Sequence, residues 1–136
     1  MDAELALSAL EEQLATHEVI LVRDGAEALD YLMQRGHFSA SPAGPPVVAF
    51  LDLKMPRVDG LTLLREMKAT PNLRTIPVVM LTSSREEQDL VRSYEAGANA
   101  YVVKPVDFDQ YFEAVKTLGR FWAGTNEPPP VARAGR

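Results

Sequence analysis

VVAFLDLKMPRVDG, residues 47–60, is the stretch on which the fold class turns. Its first part, 47–51, is apolar without alternation, as in a strand covered on both faces, and it runs directly into Asp52. After the turn at 54–60, Leu61, Leu64 and Met67 take up helical spacing, and Pro71 closes the connection. The same unit recurs downstream. PVVML at 77–81 is a second continuous apolar strand, ending in Thr82-Ser83-Ser84, and Ser84 with Glu87 reads as a helix-start pair. Leu90, Val91 and Tyr94 carry that helix to Gly97. A third buried strand at 100–103 ends in Lys104-Pro105, and Asp107 with Gln110 opens a last helix. Its Phe108, Tyr111, Phe112, Val115, Leu118 and Trp122 keep helical spacing to about Phe121. Strands alternating with helices imply right-handed crossovers and a parallel sheet covered on both faces. The expected class is α/β, a doubly wound parallel sheet.

Upstream, Ala3, Leu7, Leu10 and Leu14 describe a half-buried helix, and EVILVR at 18–23 a strand running into Asp24-Gly25. Asp24 with Glu27 starts a further helix through Ala28, Leu29, Leu32 and Met33 to about Arg35, where Gly36 stops it. The three prolines and two glycines of 36–46 cannot hold a regular ladder and mark a surface loop. Residues 124–136, with three consecutive prolines and no period, read as a disordered tail, leaving a single domain at 1–123.

The totals agree. A chain of 136 residues, 46% hydrophobic and 24% charged, has material for one core. Fourteen Lys and Arg against nineteen Asp and Glu give a net charge of −5, a field that repels phosphate backbones and argues against nucleic-acid binding. The absence of cysteine excludes a disulfide framework, a thiolate metal site and a cysteine nucleophile. No apolar run approaches bilayer length and the N-terminus is acidic, so the expectation is a cytoplasmic protein without a membrane partner.

In doubly wound sheets the working residues lie just past the carboxyl ends of the strands. Here those ends read Asp52, Thr82-Ser83 and Lys104-Pro105. Singly, each has a bland reading: Asp52 as a turn former, Thr82 as a β-branched capping residue, Lys104 as a solvated charge. Together they are a carboxylate, a hydroxyl and an ammonium delivered by three consecutive strands to one sheet edge. That set can handle a phosphoryl group, with an acceptor oxygen, a donor and a fixed positive charge.

The strings LDLKMPRVDG at 51–60, IPVVMLTSS at 76–84 and YEAGANAYVVKPV at 94–106 resemble the three signature stretches of the CheY-like response-regulator receiver domain. The resemblance runs from about residue 2 to 122. VRDGAEALDYL, NLRTIPVVMLT and the FW pair near the end of the last helix are most similar to stand-alone receivers that partner bacterial phytochrome kinases. It implies a single-domain two-component response regulator in which Asp52 accepts a phosphoryl group from a sensor histidine kinase, a bacteriophytochrome being one candidate. It further implies that Thr82 and Tyr101 act as the switch, and that Thr82, Ser83 and Lys104 bind the phosphoryl group. Asp52 and the Lys54 backbone carbonyl would hold Mg²⁺, and the peptide bond before Pro105 would be cis. About two negative charges added at Asp52 would draw in donors and pass the change to a face formed by the last two helices and the strand between them. Tyr94, Tyr101, Phe121 and Trp122 fall there, a core role for the last two being an equal alternative, and dimerisation through that face is left open. No enzymatic activity beyond self-phosphorylation and autodephosphorylation is expected.

The sequence also departs from the family pattern. Receivers begin with a strand ending in an acidic pair that holds the metal, whereas Met1-Asp2-Ala3-Glu4-Leu5 aligns with the start of the first helix. The expectation is a receiver lacking its first strand and both acids, with weak metal binding. One explanation is a start upstream of Met1. The other is a degenerate receiver serving as a phosphorylation-independent protein-interaction module, against which the intact Asp52, Thr82 and Lys104 argue. An aspartate-dependent phosphohydrolase would need an acid where Lys54 stands, and a flavodoxin-like flavin binder would need a hydroxyl- or glycine-rich loop after the first visible strand.

Overall fold

The computed structural model describes residues 8, 20, 22, 24–39 and 46–130. Nearly all of the helix expected at 3–14, nearly all of the strand expected at 18–23 and the tail from 131 on lie outside the described residues; Ser8 alone of the first is described, and it is helical. Among the described residues, β1 (Ala49–Leu51), β2 (Val78–Thr82) and β3 (Ala100–Val103) form a parallel sheet in the order β1-β2-β3, with Ala49 opposite Val78 and Val79 opposite Ala100. The helices whose bounds are described are α1 (Gly25–Met33), α2 (Gly60–Ala69), α3 (Glu87–Glu95) and α4 (Phe108–Gly119), with a short 3₁₀ turn at Gly36–Phe38.

The two-residue period of the strands sorts the core into two layers. Ala49, Leu51, Val78, Met80 and Tyr101 face a cluster built with Ala28 of α1 and Leu63, Leu64 and Met67 of α2. Phe50, Leu81 and Val102 face Tyr111, Phe112, Val115 and Leu118 of α4. Helices therefore cover both faces, as in a doubly wound sheet.

Of the three described strands only β2 is buried along its whole length. Ala49, Phe50 and all of β3 are half-buried, so the uninterrupted apolar runs at 47–51 and 100–103 overstate the covering of the two flanking strands. The first strand is also shorter than its apolar run. The register would set Val48 against Pro77, which has no N–H to give, and the ladder begins only where the Ala49 N–H reaches the Pro77 carbonyl at 2.9 Å.

Three helices start as their sequences require. The Asp24, Asp59 and Asp107 carboxylates accept the backbone N–H of Glu27, Thr62 and Gln110 at 2.8, 2.8 and 2.9 Å. The fourth does not: α3 begins at Glu87 after an N-cap, Glu86, that makes no side-chain capping bond, and Ser84 lies two residues before that cap. The stop of α1 also differs, with Gln34 in the left-handed region (φ 57°) ending the helix ahead of Gly36. The last helix runs beyond Phe121, because α4 continues as a π-helical turn over Arg120–Thr125, in which Phe121 and Trp122 meet edge to face at 5.1 Å.

Candidate functional site

Asp52 follows β1 directly, Thr82 is the last residue of β2 and Lys104 follows β3 directly, so the parallel register brings all three to one end of the sheet. The Lys104 N–H bonds the Thr82 carbonyl at 2.7 Å, which carries the pairing past the formal end of the strands. The Lys104 ammonium then reaches Asp52 Oδ2 at 2.7 Å. The other oxygen, Oδ1, accepts the Lys54 N–H at 3.2 Å. The carboxylate is about one-third exposed and the ammonium about one-sixth, so the pair is open to a reactant.

The loop after Asp52 is folded tightly on itself. The Gly60 N–H returns to the Leu53 carbonyl at 3.0 Å, and a Cβ at Gly60 would overlap the Asp52 carbonyl oxygen, which reserves this position for glycine. Arg57 takes φ 65°, a left-handed conformation costing about 1 kcal/mol for a non-glycine residue. Its guanidinium grips both oxygens of Asp24, with Nη2 at 2.9 and 2.8 Å and Nε at 3.1 Å. The Glu27 N–H, and after it Arg57, hold the Asp24 carboxyl below the usual carboxylate range. The N-terminus of α1 and the loop carrying Asp52 are thus tied together. Sequence reading placed Asp24 only as a cap, and nothing local pairs it with a residue 33 positions on.

Thr82 is buried, and its Oγ1 accepts the Ser84 N–H at 3.3 Å. Ser83, between them, is exposed. The Tyr101 hydroxyl donates to the Ser84 carbonyl at 3.1 Å, so the expected switch pair meets through Ser84. The expected cis bond before Pro105 is absent: no cis peptide occurs among the described residues. A trans X–Pro bond is intrinsically favoured by about 0.5–1 kcal/mol, and Lys104 makes both its backbone and side-chain bonds with the bond trans.

For Mg²⁺, the Asp52 carboxylate and the Lys54 carbonyl are hard oxygen donors and fit in kind. They fall short in number, since the described residues contain no group of three or more carboxylate or histidine ligands. No helix among the described residues is long and apolar enough to cross a membrane.

The family model for the response regulator receiver domain matches residues 2–116. The chain belongs to this family. Response regulator Rcp1 of Synechocystis sp. is 38% identical to this receiver over 124 residues, covering 91% of the chain and 83% of the relative. A crystal structure of Rcp1 in a Mn²⁺-bound form superposes with a TM-score of 0.84 at 37% identity, over 95% of this chain and 94% of that one. The phosphorylated cyanobacterial phytochrome response regulator RcpA gives 0.86 at 38% identity, over 93% and 89% of the two chains. The bacteriophytochrome response regulator AtBRR is 60% identical, with a TM-score of 0.69 over 91% and 89%. The fold is CheY-like, and this receiver is similar to response regulators of the phytochrome-partner type.

Proposed function

We propose that this receiver accepts a phosphoryl group on Asp52 from a sensor histidine kinase and signals through a surface formed by α3, β3 and α4. The single observation that carries the reading is Asp52 itself: a carboxylate about one-third exposed at the end of β1, with one oxygen held by the Lys104 ammonium. In the reaction the less tightly held Oδ1 attacks phosphorus, the bond from phosphorus to the donor imidazole breaks, and the imidazole keeps the electron pair and takes up a proton. Lys104 neutralises charge on the phosphoryl oxygens, with Thr82 and Ser83 supplying donors, and Tyr101 follows Thr82 through Ser84. A divalent cation, taken as Mg²⁺, would be held by Asp52 and the Lys54 carbonyl and would supply charge neutralisation.

The likeness to phytochrome response regulators supports a bacteriophytochrome as the kinase, and a partner of that kind would be met in the cytoplasm. Beyond self-phosphorylation and autodephosphorylation, no catalysis is assigned to the chain. The test is intact mass after incubation with magnesium and acetyl phosphate. A gain of one phosphoryl group, lost in Asp52→Asn, is the expected result; no gain would leave the receiver a phosphorylation-independent binding module.

A further inference from the structure

Hydrogen bonds from three elements converge on Ser84. Its N–H donates to Thr82 Oγ1 at the end of β2, and its carbonyl accepts the hydroxyl of Tyr101 from β3. Its own hydroxyl donates to Asp89 Oδ2 at 2.6 Å and accepts the Glu86 N–H at 3.2 Å, both at the start of α3. The contact to Asp89 lies in the short range of a charge-assisted O–H···O⁻ bond and is the strongest of the set. Ser84 sits in the irregular connection between β2 and α3, so these bonds decide how its two flanking peptides are turned.

We infer that Asp89 is a positioning residue for the switch: through Ser84 it holds the carbonyl that Tyr101 bonds and the amide that Thr82 accepts, so the first turn of α3 and the Tyr101 ring move as one unit. The inference rests on the phosphoacceptor reading of Asp52 for its link to signalling. Three features support it. α3 is the one described α-helix whose N-cap makes no side-chain bond, and Asp89, in its first turn, is spent on Ser84 instead of on a backbone N–H of its own helix. Thr82 Oγ1, by accepting the Ser84 N–H, keeps its own proton free to donate outward. The Tyr101 hydroxyl has water as its alternative partner, so a small displacement of the Ser84 carbonyl suffices to release the half-buried ring.

The test compares Asp89→Ala, Asp89→Asn, Ser84→Ala and Glu87→Ala in chains carrying fluorotyrosine at their four tyrosines, the Tyr101 fluorine resonance being assigned with Tyr101→Phe. Glu87 shares the first turn of α3 and its helix-end charge, which makes it the control for a purely helical effect. Asp89→Ala is expected to move the Tyr101 resonance toward its solvent-exposed value and to slow phosphoryl gain from acetyl phosphate about fivefold. Ser84→Ala should reproduce the shift from the other end of the bond, Asp89→Asn should restore most of it, and Glu87→Ala should change neither reading. An unmoved Tyr101 resonance in both Asp89→Ala and Ser84→Ala, or an equal shift in Glu87→Ala, would overturn the inference. Absence of phosphoryl gain in the parent chain would instead remove the phosphoacceptor reading, while the fluorine spectra would still decide whether Asp89 and Ser84 hold Tyr101.

Discussion

α2 and α3 each leave a strand of the same sheet and differ by one residue in length, yet they meet the core in opposite ways. α2 is capped by the Asp59 carboxylate and buries Leu63, Leu64 and Met67 completely. α3 lacks a side-chain cap at Glu86, buries Ser93 alone, and leaves Leu90, Val91 and Tyr94 at 38%, 47% and 49% exposure. One helix is an anchor, and the other reaches the core mainly through the residues that follow it, Ala96 and Ala98. A helix held by so little apolar surface is displaced at low energetic cost. It is also the helix whose first turn is wired to Thr82 and Tyr101 through Ser84, which is where a switch can use such freedom.

The largest expected effect lies on the anchored side. Leu64→Ala removes a fully buried side chain and should cost about 3 kcal/mol in urea unfolding, whereas a loss below about 1 kcal/mol would mean that α2 is no firmer than α3. Ser93→Ala should act in the other direction. Its hydroxyl is completely buried and has no hydrogen-bond partner among the described residues, and removing it should raise stability by about 1 kcal/mol in the same assay. A destabilising outcome would mean that the hydroxyl is satisfied in solution and that α3 is better seated than described.

A third prediction concerns acid. Because the folded state depresses the Asp24 carboxyl below its ordinary value of 3.8, the stabilisation is complete above that value and is lost as pH falls through the lower folded value. Asp24→Asn should therefore flatten the acid limb of the stability curve and leave α3 unaffected. An unchanged acid limb would break the tie between α1 and the Asp52 loop. The smallest effect belongs to the exposed stripe of α3, where Val91→Ser should change stability by no more than about 0.5 kcal/mol while altering partner binding.

Much of this was legible in the residues. Continuous apolar runs ending in Asp52, Thr82 and Lys104 foretold three parallel strands with their chemistry at one edge, because burial on two faces leaves no room for polar residues until the strand ends. The Asp24 and Asp107 caps, read as helix-start pairs, are local events set within three residues; the Asp59 cap is of the same kind but was not read. The facing of α3 was not legible. Leu90, Val91 and Tyr94 keep helical spacing, but spacing fixes only that apolar residues share a side, and the residue of this helix that the fold buries is Ser93. The Ser84–Glu87 pair likewise suggested a capping box, whereas Ser84 engages Glu86 and Asp89 because α3 starts later than the pair implies.

The sequence by itself determined the α/β class, the three described strands, the α1 and α4 starts and the identity of the three edge residues, since each follows from periodicity or from bonds between near neighbours. Only the tertiary structure decided the Lys104–Asp52 pair, the Arg57–Asp24 clamp and the meeting of Tyr101, Thr82 and Asp89 at Ser84. Those contacts join residues brought together by parallel crossovers, and their geometry depends on strand register and on which face of each helix the core selects.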